Sequence, residues 1–139
     1  MTTTELLKNT NQAVGIGDFA VGFMSGKVGS PAQDVLDRTA LFFTDAVLCG
    51  LSAVAVKTNA PTILRNEAFL YPCDKGATVF GSNKRVSPEK AILANCAAVR
   101  EWDSNGTNFG FNPDLGHTAG EFGHNDFYAV PVAASQIMG

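Results

Sequence analysis

The chain has 139 residues, 45% of them hydrophobic and 17% charged, a balance that fits one soluble domain with a core and argues against an intrinsically disordered chain. Ten Lys plus Arg against thirteen Asp plus Glu give a formal net charge of -3. No basic stripe follows a phosphate backbone, so nucleic acid is not an expected partner. Cys49, Cys73 and Cys96 are odd in number, widely spaced and without a C-x-x-C pair, which points away from a disulfide framework or a zinc ribbon and towards a reducing compartment.

At the start, Met1-Thr2-Thr3-Thr4-Glu5 lacks the basic and apolar regions of a signal peptide and the Arg-rich pattern of a transit peptide. A cytoplasmic location is expected, with a mitochondrial one left open. Thr2 and Glu5 have the form of a capping box, and Leu6, Leu7, Val14, Phe19, Ala20 and Phe23 recur loosely at helical spacing, so an N-terminal helix is expected, weakened by Gly15 and Gly17. A clearer helix start is Ser30-Pro31-Ala32-Gln33. Ser30 can cap, Pro31 takes the first helical position and Gln33 can reach back. Val35, Thr39, Phe42, Ala46 and Cys49 then form one face. The most apolar stretch, 40–56, contains Asp45 and falls short of the roughly 20 apolar residues that span a bilayer. A buried core helix is expected there and no membrane contact.

Residues 57–86 carry Pro61, Pro72, Gly76 and Gly81 around the β-prone run Ala77-Thr78-Val79-Phe80, which reads as a connector with one or two short strands. Ser87-Pro88-Glu89 repeats the cap-then-proline signal and opens a helix in which Ile92, Leu93, Cys96, Val99 and Arg100 lead to Trp102. That helix should stop near the turn-forming cluster Asp103-Ser104-Asn105-Gly106. Residues 108–123 read as a glycine-rich loop with Phe109, Phe111 and Phe122, too irregular for a regular element. A last helix is expected from about Asn125 and Asp126, with Pro131 kinking it or sitting in its opening turns.

Groups with acid, base or hydrogen-bonding capacity crowd between Asp103 and Asp126: Thr107, Asp114, His117, Glu121 and His124 lie there, and both histidines of the chain are among them. Histidine titrates nearest neutrality, so a His facing a carboxylate can trade protons at working pH. Composition alone favours a plainer reading, in which Asp103 caps a turn and the histidines are solvated. A metal reading rests on His117, Glu121 and His124, whose spacing would share a helical face as a two-His, one-carboxylate set. Gly116, Gly120 and Gly123 argue against that helix, and no fourth ligand is obvious. Neither a metal nor another cofactor is expected.

Taken in order, Ser87-Pro88-Glu89-Lys90-Ala91, Ala94-Asn95-Cys96-Ala97, Trp102-Asp103, Thr107 and Gly123-His124 resemble the signature of the MmgE/PrpD family. In that pattern a helix ends in D-x-x-x-T, and a loop leads to a histidine opening the next helix. Phe43 to Leu51 resembles the family's early helix with its buried aspartate and glycine, and Ala77 to Gly81 resembles the short strand between them. The resemblance implies a mainly α fold: part of an all-helical domain, with the short strands in the connector 57–86. It also implies that Asp103, Thr107 and His124 belong to the active site, while His117 and Glu121 fall in a loop longer than in the commoner pattern.

Members of the 2-methylcitrate dehydratase type remove water from a hydroxy-tricarboxylate in propionate catabolism, without an iron–sulfur cluster, and commonly form homodimers. The resemblance therefore implies a hydro-lyase with a small tricarboxylate substrate. Decarboxylation of an unsaturated tricarboxylate such as cis-aconitate is the alternative within the family, and a non-catalytic helical module bound to a longer subunit is the alternative outside catalysis. From Glu101 to Gly139 there are five acids and no Lys or Arg, although a tricarboxylate demands cationic partners. Arg100 and Lys90 would point about 80° apart on one helix and could not clamp one anion together. The family is several times longer, so residues 1–139 are expected to be a partial helical domain. Val35, Phe42 and Ala46 would then lack their usual cover, with poor stability and no catalysis alone.

Overall fold

The computed structural model describes residues 11–104, 107–109, 113–114, 116, 120–122 and 124–139, with the side chains of 107–109, 120–122 and 124–125 outside the description. The chain divides into two compact units, residues 1–37 and 38–139. In the first, α1 (Gln12–Met24) starts at Asn11, whose side-chain oxygen accepts the Ala13 N–H at 3.1 Å. The cap is thus Asn11, and the Thr2–Glu5 box lies outside the described residues. Gly26, at φ 74°, ends the helix: the Gly26 and Lys27 N–H groups bond the Phe23 and Gly22 carbonyls, a glycine-dependent helix stop. The Phe19 and Phe23 rings stack at 6.1 Å.

Helix α2 (Gln33–Ala55) begins two residues later than Pro31 suggests. The Ala32 carbonyl accepts the Val35 and Leu36 N–H groups, and Gln33 bonds forward to Asp37 at 2.8 Å rather than back to Ser30. Its buried residues are Ala46, Gly50 and Ala53, so the covered stripe is narrower than the Val35 to Cys49 face. Val35 is exposed and Phe42 half-buried, while Asp45, expected to be buried, faces outwards. The expectation of a buried core helix is therefore corrected. At 23 residues, with a mean hydropathy of 1.4 over its most apolar window, α2 is also long and apolar enough to cross a membrane, by length and composition.

The connector contains a helix that the sequence reading missed, α3 (Asn59–Ala68). Pro61, which reads as punctuation in the sequence, stands in the first turn of this helix, where a backbone N–H has no intrahelical partner to lose. Strand β1 (Pro72–Thr78) pairs antiparallel with β2 (Arg85–Val86), Ala77 opposite Val86 and Thr78 opposite Arg85, with a bulge between Pro72 and Ala77. The strand lies earlier than the 77–80 run, because the chain already turns at Val79 to Ser82, where Gly81 adopts φ 70°. Gly76 admits no side chain: a Cβ there would sit 1.9 Å from the Val86 carbonyl oxygen.

Helix α4 (Pro88–Arg100) starts as expected after Ser87 with Pro88 at its head, the Ser87 carbonyl accepting the Lys90 and Ala91 N–H groups. Its buried residues are Ala91, Ala94, Asn95, Ala98 and Val99, whereas Leu93 is half exposed. These small side chains let the helix approach β1 and α3 closely. Asn95 uses that proximity. Its Nδ2 donates to the Thr78 carbonyl and its Oδ1 accepts the Phe80 N–H, each at 2.9 Å. The Phe80 ring in turn lies where a Cβ on Gly50 would be, 2.5 Å from that position.

Where residues 108–123 are expected to be irregular, there is a hairpin: β3 (Thr107–Phe109) pairs antiparallel with β4 (Gly120–Phe122). A 3-10 turn, η1 (His124–Phe127), then leads into α5 (Ala129–Met138), where Pro131 occupies the opening turn as expected. Helix α5 returns to the first sheet. The Gln136 side chain accepts the Thr78 N–H at 2.9 Å and donates to the Thr78 hydroxyl at 3.0 Å. The fold is mainly α with short antiparallel strands. Its core gathers Ala68, Ala77, Val79, Val86, Ala91, Ala94 and Ala133, with Leu64, Phe69 and Ile92 packed against it.

Removing the Asn95 amide leaves two part-buried backbone groups without their partner. Asn95→Ala should cost about 2–6 kcal/mol in urea unfolding, taking about 1–3 kcal/mol for each of the two groups left unpaired; a loss below about 1 kcal/mol would show that water replaces the amide.

Candidate active site

Asp103 follows the end of α4 in the left-handed region, at φ 49°, a conformation that aspartate tolerates better than most residues. Its N–H bonds the Arg100 carbonyl at 3.0 Å, and its exposed carboxylate accepts a hydrogen bond from Arg100 Nη1. This confirms the expected helix stop and identifies Asp103's partner as the last residue of the helix before it.

Thr107 opens β3 directly opposite Phe122 of β4. The register sets Thr107 at the open end of the hairpin; in sequence, Asp103 precedes Thr107 by four residues and His124 follows Phe122 by two. The Thr107 and His124 side chains are outside the described atoms, and their placement is that of the backbone. His117 lies outside the described residues. Glu121 is the middle residue of β4, opposite Asn108, so the helical spacing on which the metal reading rests is absent. Among the described residues no group of three His, Cys, Asp or Glu could hold a metal ion.

The turn η1 is tied to α4 by charge. Arg100 Nε lies 3.6 Å from Asp126 Oδ2. Arg100 therefore serves two carboxylates, one before the hairpin and one after it, a role that the sequence signalled only through the i, i+3 spacing of Arg100 and Asp103. Lys90, the other cation of α4, is engaged elsewhere: it donates to Glu67 at 2.5 Å and stands 4.4 Å over the Tyr71 ring. The Glu67 carboxylate raises the Lys90 ammonium above its ordinary range. The separation of the two cations expected from helical geometry is thus observed.

Beside this region a small cavity of about 40 Å³ is lined by Phe43, Ala46, Phe80, Val99, Tyr128 and Val132 among others. Its lining is apolar, and Phe43 and Tyr128 meet edge to face at 5.6 Å. Burial pushes the Tyr128 hydroxyl up. Burial, and after it the Asp126 charge, push the Cys96 thiol up as well. A raised thiol pKa lowers the fraction of thiolate, which is the nucleophilic form.

The family model for the MmgE/PrpD N-terminal domain matches residues 17–123 of the chain. The chain belongs to the MmgE/PrpD family. This is a dehydratase and lyase family, and the match takes in α1 from Gly17, both strand pairs, Asp103 and Thr107, ending one residue before His124. No curated protein and no solved structure matches the chain.

The raised Cys96 pKa sets a pH dependence for this MmgE/PrpD chain. A group whose folded pKa is raised contributes stability that is complete below its unfolded value, about 8.5 for a thiol, and lost as the pH rises through the folded one. Stability should be level near neutrality and fall above about pH 8.5, and Cys96→Ala should move the onset of that fall towards about pH 10, where tyrosine and lysine titrate. Denaturant melts across that range would read it; an onset unchanged in Cys96→Ala would assign the alkaline loss to other groups.

Proposed function

We propose that this chain supplies acid–base groups of a hydro-lyase that dehydrates a hydroxy-tricarboxylate of the 2-methylcitrate type. The observation that supports this is the hairpin register, in which Thr107 at the start of β3 stands opposite Phe122, two residues before His124. Dehydration next to a carboxylate requires one group to take the α-proton and another to protonate the departing hydroxyl. His124 suits the second task, or the holding of a substrate carboxylate, because imidazole changes charge near neutral pH. Asp103 orients or exchanges protons with it, and the Thr107 hydroxyl donates to a substrate oxygen.

The reading also calls for cations that meet the tricarboxylate. Arg100 is already shared by Asp103 and Asp126, and Lys90 is held by Glu67. The remaining positive partners are proposed to come from elsewhere in the assembled enzyme, across a homodimer or from further family segments.

The test is turnover of 2-methylcitrate, followed by ultraviolet absorbance of the new carbon–carbon double bond, in the longest native form of the protein. His124→Ala should lower kcat by about a hundredfold to ten-thousandfold, the usual range for a general acid–base group. Activity within about threefold of the parent would take His124 out of the mechanism.

A further inference from the structure

Two carboxylates from different segments converge on the last residue of α4. Arg100 Nη1 donates to Asp103, and Arg100 Nε stands 3.6 Å from Asp126 Oδ2. The Asp126 side chain is 16% exposed, against 52% for Arg100 and 67% for Asp103, so the contact to η1 is the better shielded of the two and the less screened by salt. The turn η1 that carries Asp126 packs directly against α4. The carboxylate is therefore packed along α4 rather than reaching it from a distance.

The chain between these carboxylates is the hairpin. Asp103 stands before it in a left-handed conformation, and η1, which begins with His124, follows it. A guanidinium holds several donors in a rigid planar fork, so one Arg can fix two carboxylates in a set relation, which a single ammonium does less well.

We propose that Arg100 is a positioning residue, an ionic latch that holds Asp103 and the His124 turn in register across the mouth of the hairpin. Its bearing on catalysis rests on the dehydration reading above. In this role Arg100 acts on the reaction through Asp103 and η1, and the substrate's carboxylates are met by other cations.

Two measurements test the latch, one with substrate and one without. With 2-methylcitrate, Arg100→Met and Asp126→Asn should each lower kcat about tenfold or more while KM stays within about threefold, because misplacement of reacting groups costs rate rather than ground-state binding. Arg100→Lys should recover part of the loss, and the double variant should be no worse than Arg100→Met alone, as members of one contact are not additive. A rise in KM at unchanged kcat would make Arg100 a substrate ligand and overturn the latch, and so would independent, multiplying effects in the double variant. Without substrate, hydrogen exchange reads the latch directly: Arg100→Met should speed exchange of the His124–Phe127 amides about fivefold or more relative to those of α5. Unchanged exchange there overturns the proposal. Faster exchange together with a parent protein inert towards 2-methylcitrate would uphold the latch and reject the reaction.

Discussion

The fold turns on one buried amide. Asn95 offers a donor and an acceptor, 2.9 Å from the Thr78 carbonyl and the Phe80 N–H, and so satisfies two backbone groups just where β1 ends and the chain turns. Backbone polar groups withdrawn from water must be paired. The second strand, only Arg85–Val86, is too short to pair the whole of β1. The helix supplies what the sheet lacks, and the small residues Ala91, Ala94 and Ala98 on the same helix allow the approach that makes the reach possible. Phe80, fixed by that bond, then fills the space that Gly50 leaves open on α2. One side chain thus joins the sheet, α4 and, through Phe80, α2.

The candidate active site inherits this anchoring. The segment from Arg100 to Tyr128 runs from the end of α4 to the start of α5, and both helices are fastened to the same residue of β1. Asn95 takes the Thr78 carbonyl, and Gln136 takes the Thr78 N–H and hydroxyl. Arg85 adds a tie between Gly76 and the Gln136 carbonyl. A segment with both ends held has far fewer arrangements open to it than one with a free end. The pairing of β3 with β4 narrows those that remain.

Much of this was legible in the sequence where local chemistry decides the outcome. The proline-headed start at Pro88 and the stop near Asp103 followed from backbone rules that act within a few residues, although the Ser87 side chain makes no capping bond. Pro131 took the second of its two expected places, an opening turn. Signals that depend on partners were not legible. Pro61 has the same meaning in a loop as in a first helical turn, and only the packing of α3 against α4 separates the two. The β3–β4 pair is three residues a side with glycine in it, too short for alternation to register. The stripe on α2 was misjudged because hydrophobicity reports what a helix can bury, whereas Ala46, Gly50 and Ala53 are what its neighbours reach. At the site, Asp103, Thr107 and His124 came from resemblance, and the part played by Arg100 came only from coordinates, since sequence separation does not reveal that Asp126 returns to the same helix end.

The hairpin separates two properties that usually change together in an enzyme loop. Pairing at its base is set by Thr107 opposite Phe122 and Phe109 opposite Gly120, so residues gained or lost between Phe109 and Gly120 alter the length of the tip while the base keeps its register. A lineage can therefore change the length of this stretch without shifting the strand pairing at its base. The same geometry is unforgiving in the other direction. A single residue inserted within either strand would turn every following side chain to the opposite face, so changes in length are tolerated between the strands and not within them.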